Sequence, residues 1–400
     1  MKRKAFGRMY WLASWATPLV AVAAYLAFWP VVIEPAAWSP QANVGYTGAH
    51  VVNDKLAGLK QIALQAGQAG PEFLLPHAGH LYTGLANGDV LRMQPDGQGQ
   101  TLVANTGGRP LGLDVDEQGR LLVADAMKGL VRITGQGAQA KVEAVLTTVP
   151  HGGSEDPIRY ADAVKVGPGG VIWLTDASTR FGARDNGGTF EASVLDILEH
   201  SCTGRLIALT PAGQARVVMD GLCFPNGIAF SADGKAMFLS ETGTYRVLKV
   251  DLSRLDAGAG AGTAAVSAEA ALAQGTAKVI LDNLPGYPDN LSRGADGRLW
   301  TGLTKPRSPV IDFAGPYPFI RSLTLRLPRA LWPVPKPYGH LIAFDESGKV
   351  LDDLQDPTGS YPETTAAVEM DGKLFVQSLH AHSVGWMPYK GPALAVQAEK

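Results

Sequence analysis

The chain has 400 residues, 46% of them hydrophobic, and its 35 Lys and Arg nearly balance 37 Asp and Glu for a formal charge of −2. That length can bury a large core in a single domain. With no basic run beyond the N-terminus, the charge balance argues against a nucleic-acid partner.

From the start of the chain, Lys2, Arg3, Lys4 and Arg8 precede an uncharged stretch from Met9 to Ile33, which ends at Glu34-Pro35. As a helix it would measure roughly 37 Å, enough to cross a hydrocarbon core of about 30 Å with some tilt. Trp11, Trp15, Trp29 and Trp38 sit toward its two ends, where indoles favour the interface. The small-residue site Ala21-Val22-Ala23 lies mid-stretch, which fits a cleaved leader poorly. The expectation is a single transmembrane signal anchor over 1–33, then a tether over 34–55. The positive-inside rule would leave the N-terminus cytoplasmic and the rest on the extracytoplasmic side, with the lipid bilayer a partner of the N-terminal helix.

After residue 70 helical periodicity is scarce and Gly and Pro punctuate throughout, an all-β composition. One phrase recurs: an apolar strand ending in a small or acidic residue, a turn, then a strand with a basic residue. It reads clearly at Leu81–Met93, Leu121–Ile133 and Met237–Val250, and more weakly at Ile172–Gly182, Leu299–Ser308 and Leu374–Met387. Turns at Asp116–Gly119, Pro168–Gly170, Ala232–Gly234, Ala295–Gly297 and Met370–Gly372 precede five of these hairpins. Radial repetition of such units predicts a six-bladed β-propeller over 56–400. Leu59–Gln65 is apolar enough to complete the last blade and close the ring. Three insertions break the period: Gly182–Thr203, with a short helical turn over Val194–Glu199; the Ala/Gly-rich Ala257–Thr276; and the proline-rich Pro306–Tyr338, which reads as a lid or rim. Cys202 and Cys223 are too few for a disulfide framework; a pair and two separate buried thiols both fit the sequence.

The blades' inner strands should begin just ahead of their apolar runs, facing the channel. Reading those starts gives Glu72, Asp162, Asn226 and Asp289-Asn290 at one place in the repeat. Carboxylates and amide oxygens without His or Cys are hard donors suited to Ca²⁺, with Mg²⁺ or another divalent ion as alternatives. Three negative charges together would repel and hold protons unless a cation joined them. Singly, each residue could simply cap its own strand or turn. Asp125, Asp176 and Glu241, with Arg132, Arg180 and Arg246 nearby, read as structural ion pairs of the hairpins. There is no nucleophile elbow, phosphate loop or Cys/His metal spacing.

Several segments, among them YADAVKVGPGGVIWLTDASTRF, GLCFPNGIAFSADGKAMFLSETGTYRVLKVDL and LPGYPDNLSRGADGRLWTGL, resemble the strictosidine synthase-like family, related to paraoxonases and gluconolactonases. The resemblance runs from about Glu72 to the C-terminus and implies a six-bladed propeller. It matches Glu72 to a first-blade metal-binding Glu, Asn226 to the Asn of an F-x-N-G motif, and Asp289-Asn290 to a D-N pair. Asp162 stands where paraoxonases carry Asn. The glutamate of the Pictet–Spengler enzyme that names the family falls at Thr365, with Glu363 two residues away, so strictosidine-type C–N lyase chemistry is the least favoured reading. The paraoxonase histidine pair has no counterpart, the matching hairpin being Asp125-Ala126-Met127-Lys128. The expectation is a metal-dependent, arylesterase-like hydrolase of small esters or lactones. Asp289 would act as base, Glu72, Asp162, Asn226, Asp289 and Asn290 as metal ligands, and Thr365 and His380 as substrate contacts. The alternative is a non-catalytic, calcium-stabilised propeller that binds a ligand or protein at a membrane surface. Nothing in the sequence sets the oligomeric state.

Overall fold

A computed structural model describes residues 17–255, 258 and 264–391. The chain forms two compact units: a larger one of Gln41–Ile197, Cys202–Arg307 and Pro335–Lys400, and a smaller one of Met1–Pro40, Leu198–Ser201 and Ser308–Val334.

Among the described residues the larger unit contains five four-stranded antiparallel sheets and a five-stranded one whose fifth strand, Val266–Ser267, is added in parallel, plus a separate two-stranded sheet (Thr148–His151 with Ser154–Pro157). The inner strands of blades 1 to 6 are Leu74–His77, Pro110–Val115, Ala161–Val166, Pro225–Phe230, Gly286–Arg293 and Thr364–Met370. Each inner strand neighbours that of the next blade, and the sixth neighbours the first, which closes the ring. The closure is made by the N-terminal segment: Lys60–Ala63 is the outer strand of blade 6, paired Lys60 to Trp386 and Ala63 to Ser383. Both ends of the ring thus meet in one sheet, so no blade edge is left for the terminal strands to lose. Apolar clusters lie between successive blades. One joins Trp173, Leu206 and Met219 of blade 3 to Ile228, Met237 and Leu248 of blade 4.

Five blades share a local irregularity. The pairing of inner and second strand shifts register between Pro110 and Leu113, Ala161 and Val164, Pro225 and Ile228, Pro288 and Leu291, and Thr364 and Ala367. Such bulges bend a strand and re-aim the extra side chain. Asp162, Asn226, Asp289, Asn290 and Thr365 all sit inside them.

The helices are α1 (17–28), α2 (Thr189–Glu199), α3 (Ala268–Ala273), α4 (Pro309–Ala314) and α5 (Pro318–Arg326). The expected transmembrane anchor is corrected here. Among the described residues no helix is long and apolar enough to cross a membrane. Helix α1 stops before Trp29-Pro30, and its described residues, 17–28, span roughly 18 Å. Proline cannot continue the helix, and Arg326 takes up carbonyls at its end, donating Nη1 to Leu26 O at 3.2 Å and Nε to Trp29 O at 2.7 Å. The single-pass topology, with the propeller on the far side of a membrane, therefore falls; Lys2, Arg3, Lys4, Arg8 and the first part of the apolar stretch lie outside the described residues.

Candidate functional site

The flagged residues are all buried at the starts of inner strands: Glu72, Asp162, Asn226, Asp289 and Asn290. Their backbones are fixed by hydroxyls from neighbouring strands. Thr175 Oγ1 donates to Asn226 O at 3.0 Å, Ser240 Oγ to Asp289 O, Thr242 Oγ1 to Pro288 O at 2.6 Å, and Thr365 Oγ1 to Glu72 O at 2.6 Å. A carbonyl in a bulge has lost its ladder partner, and the hydroxyl replaces it. Thr365 therefore serves the backbone of Glu72 and is itself fully buried.

Side chains connect the set in two pairs. Asn290 Nδ2 donates to Glu72 Oε1 at 2.6 Å, and Asn226 Nδ2 approaches Asp162 Oδ2 at 3.5 Å. The carboxyls of Glu72 and Asp289 act on each other, an interaction that raises Asp289's hold on its proton. What remains is a surplus of acceptors. Glu72 Oε2, Asp162 Oδ1, Asn226 Oδ1, Asp289 Oδ1 and Asn290 Oδ1 are buried with no hydrogen-bond partner. An unsatisfied buried oxygen costs about 1–3 kcal/mol, more when charged, so five on this one set of residues call for an explanation.

The electrostatics agree. Burial, then the negative charge of Glu72, pushes Asp162 well above the usual carboxylate range. Burial, Glu72 and Asp162 do the same to Asp289. Burial also raises Glu72, opposed by Arg109 and by its bond from Asn290. Arg109, itself buried, is the one guanidinium acting on Glu72 and Asp162 in this group, and its Nη1 donates to Gly70 O at 3.1 Å. Tyr160, whose hydroxyl donates to Thr189 O at 3.1 Å, is raised well above the phenol range by burial and by Asp162, Asp289 and Glu72. Arg109 and Tyr160 were missed by sequence reading. Their signal is their place one or two residues before an inner strand, equivalent to that of Glu72.

At the same end of the blades, Glu363 precedes the inner strand of blade 6 with a φ of 57°, left-handed for a non-glycine residue. Lys305 Nζ pairs with its Oε1 and His380 Nδ1 with its Oε2. Burial alone would raise Glu363, but the bonds and charges of His380 and Lys305 outweigh it and bring it to about 2. His380 stands edge-on to Phe190 of α2, with centroids 5.9 Å apart. The backbone knits this corner to the first blade, Ser378 N donating to Pro71 O at 3.1 Å and Gly70 N to Ala381 O at 2.8 Å.

The supposed ion pairs of the hairpins resolve differently. Only Glu241 keeps its expected partner, Arg246, at 2.6 Å; Asp176 pairs with Arg205 at 3.0 Å. The shared role is to close the strand turn. Asp125 accepts from Arg109 N at 3.0 Å, Asp176 from Tyr160 N at 2.8 Å and Glu241 from Cys223 N at 2.7 Å. Cys223 and Cys202 form a disulfide.

A cyclic array of sheets with buried acceptors at the starts of its inner strands defines a propeller with a polar axial site. The SMP-30/Gluconolactonase/LRE-like region profile matches residues 79–314, and the strictosidine synthase-like N-terminal profile matches 48–93. Strictosidine synthase-like protein 10 of Arabidopsis thaliana is 32% identical over 343 residues, covering 78% of this chain and 83% of its own. Among solved structures, a gluconolactonase from Xanthomonas campestris superimposes with a TM-score of 0.53 at 17% identity, covering 90% of this chain and 98% of its own. A calcium-binding regucalcin from Agrobacterium tumefaciens gives 0.51 at 15% identity, over 83% of this chain and 92% of its own. The chain belongs to the strictosidine synthase-like family within the SMP-30/gluconolactonase group.

Proposed function

We propose that the chain is a hydrolase of small esters or lactones that depends on a divalent cation, Ca²⁺ first among them. The observation that carries the reading is the five unpartnered buried oxygens on Glu72, Asp162, Asn226, Asp289 and Asn290. They are hard donors, carboxylate and amide, with no nitrogen or sulfur among them, which suits Ca²⁺ or Mg²⁺. Family membership and the calcium-binding regucalcin neighbour support the same ion.

These five residues would hold the cation. When bound, it supplies positive charge that polarises a substrate carbonyl and favours the oxyanion. The remaining work falls to the protein. Asp289 takes a proton from the attacking water, as the cation keeps its carboxylate ionised and able to accept one. Asn290 and Thr365 hold Glu72 so that only Oε2 stays open. Arg109 offsets part of the negative charge, so the site carries three acids without unfolding.

The test is a panel of esters and lactones on the full chain, with calcium or with chelator. Hydrolysis that chelator abolishes and calcium restores supports the reading. Calcium binding that raises the melting temperature with no hydrolysis anywhere in the panel would assign the chain to the non-catalytic alternative.

A further inference from the structure

Within the larger unit, a second cluster of ligand-type side chains sits on the outer half of blade 5, away from the inner-strand starts. His340 lies on the third strand, Gly339–Phe344, and Asp353 on the outer strand, Val350–Asp356. The register pairs His340 with Gln355 and Ile342 with Asp353, so His340 and Asp353 are diagonal neighbours on one face of the sheet. His50, at the end of the short 3-10 helix Gly48–His50, reaches the same face. One carboxylate oxygen joins all three: Asp353 Oδ2 lies 2.7 Å from His50 Nδ1 and 2.8 Å from His340 Nε2. Sequence spacing hides the cluster, because 303 residues separate His50 from Asp353.

Its surroundings hold the cluster in place. Asp353 Oδ1 accepts from Gln355 Nε2 and, at 3.3 Å, from Asn53 Nδ2, which leaves Oδ2 to the two imidazoles. Gln355 Nε2 also donates to His50 O at 3.1 Å. Tyr46 stacks on Tyr338 with centroids 5.0 Å apart and lies 5.7 Å from the His340 ring, an aromatic wall beside the group. His340 and Asp353 are buried, whereas the His50 side chain is 18% exposed and gives the cluster an opening to solvent. Burial keeps the His340 imidazole neutral.

We infer that His50, His340 and Asp353 form a zinc site, separate from the axial oxygens. Their ligand atoms lie within 4.8 Å of one another. Two imidazole nitrogens and a carboxylate oxygen suit Zn²⁺ before Ca²⁺ or Mg²⁺, which favour oxygen alone. Bonds of about 2.0 Å to a tetrahedral ion set its ligand atoms roughly 3.3 Å apart, so the present contacts need open by only about half an ångström. The metal takes the place of the N–H proton on each ring, and that proton passes to the ring's other nitrogen. Gln355 and Asn53 are then the outer partners that orient the carboxylate, and a water entering past His50 fills the fourth position. Zinc bound there clamps the segment around His50 to blade 5, just ahead of the ring-closing strand Lys60–Ala63.

The experiment is Zn²⁺ titration calorimetry of the full chain in excess calcium, so that the axial oxygens do not compete, beside His50→Gln, Asp353→Asn and Glu72→Gln/Asp162→Asn. His50 lies off the sheets and glutamine can still donate to Asp353, so His50→Gln should melt like the wild type when zinc is absent. One zinc ion should bind per wild-type chain and raise its melting temperature, and the axial double variant should bind zinc equally well. His50→Gln and Asp353→Asn should bind about 10²-fold more weakly or worse, since a lost ligand costs at least as much as a lost outer partner. Co²⁺ in place of zinc needs no variant: the wild type should show the visible absorption of a nitrogen-ligated, four- or five-coordinate ion. Absence of stoichiometric zinc binding or of that absorption in the wild type overturns the inference. So does equal binding by His50→Gln, or loss of zinc from the folded axial double variant instead.

Discussion

Asp289 concentrates the chemistry. Asp289→Asn keeps the shape and an oxygen donor but removes the proton acceptor, so hydrolysis should fall by about 10²–10⁴-fold while the protein stays folded. Steady-state kinetics beside a melting curve separate the two effects. The acids also set a pH dependence. Asp162 and Asp289 hold protons more tightly folded than unfolded, so without metal their contribution is most favourable below about pH 4 and is lost as pH rises. A cation reverses this by preferring the ionised forms. The rise in melting temperature given by calcium over chelator should therefore grow from about pH 4 to neutrality; a rise independent of pH would contradict the assignment. Glu363 runs the other way. Held at about 2, it stabilises the fold above its unfolded value near 4.5 and loses that contribution as pH falls toward 2. Repetition made Glu72, Asp162, Asn226, Asp289 and Asn290 legible as a set in the sequence. It did not disclose that each acceptor after Glu72 sits in a bulge, nor that Arg109 and Tyr160 join them, because both facts depend on strand register.

Individual elements position these side chains, and two of them offer direct tests. The inner strand of blade 4 passes so close to that of blade 5 that a Cβ on Gly227 would lie 2.1 Å from Leu291 N and 2.5 Å from Asn290 C. Backbone cannot yield as a flexible side chain can, so Gly227→Ala should cost about 1–3 kcal/mol and weaken calcium binding by moving Asn290. Denaturant melts and calcium titration read both; unchanged affinity would mean that blade spacing does not set the site. The Cys202–Cys223 disulfide braces the segment leading to Asn226 and closes a loop of 21 residues. Replacing both with serine should lower stability by about 3 kcal/mol, as followed in urea. The hairpins were readable because Gly and Asp mark each turn and apolar residues alternate between the turns. Helix α2 begins at Thr189, ahead of the turn foreseen over Val194–Glu199. Helices α4 and α5 were hidden in a proline-rich stretch, although Pro309 and Pro318 stand at helix starts, where proline is tolerated.

At the scale of the molecule, ring closure by Lys60–Ala63 follows from arithmetic on the repeat: a final blade short of one strand, and an apolar segment near the N-terminus able to supply it. The N-terminal stretch was misread because hydropathy records only that residues are apolar, while Pro30 and the arginine clamp from α5 decide where the helix ends. The ring itself sets the central claim, since only closure brings residues as distant as Glu72 and Asn290 within hydrogen-bond reach. The most direct test is calcium titration calorimetry of the full chain at neutral pH, beside Glu72→Gln/Asp162→Asn. The account predicts one calcium ion per wild-type chain and no measurable binding by the folded double variant. Absence of binding by the wild type, or equal binding by the variant, would contradict it.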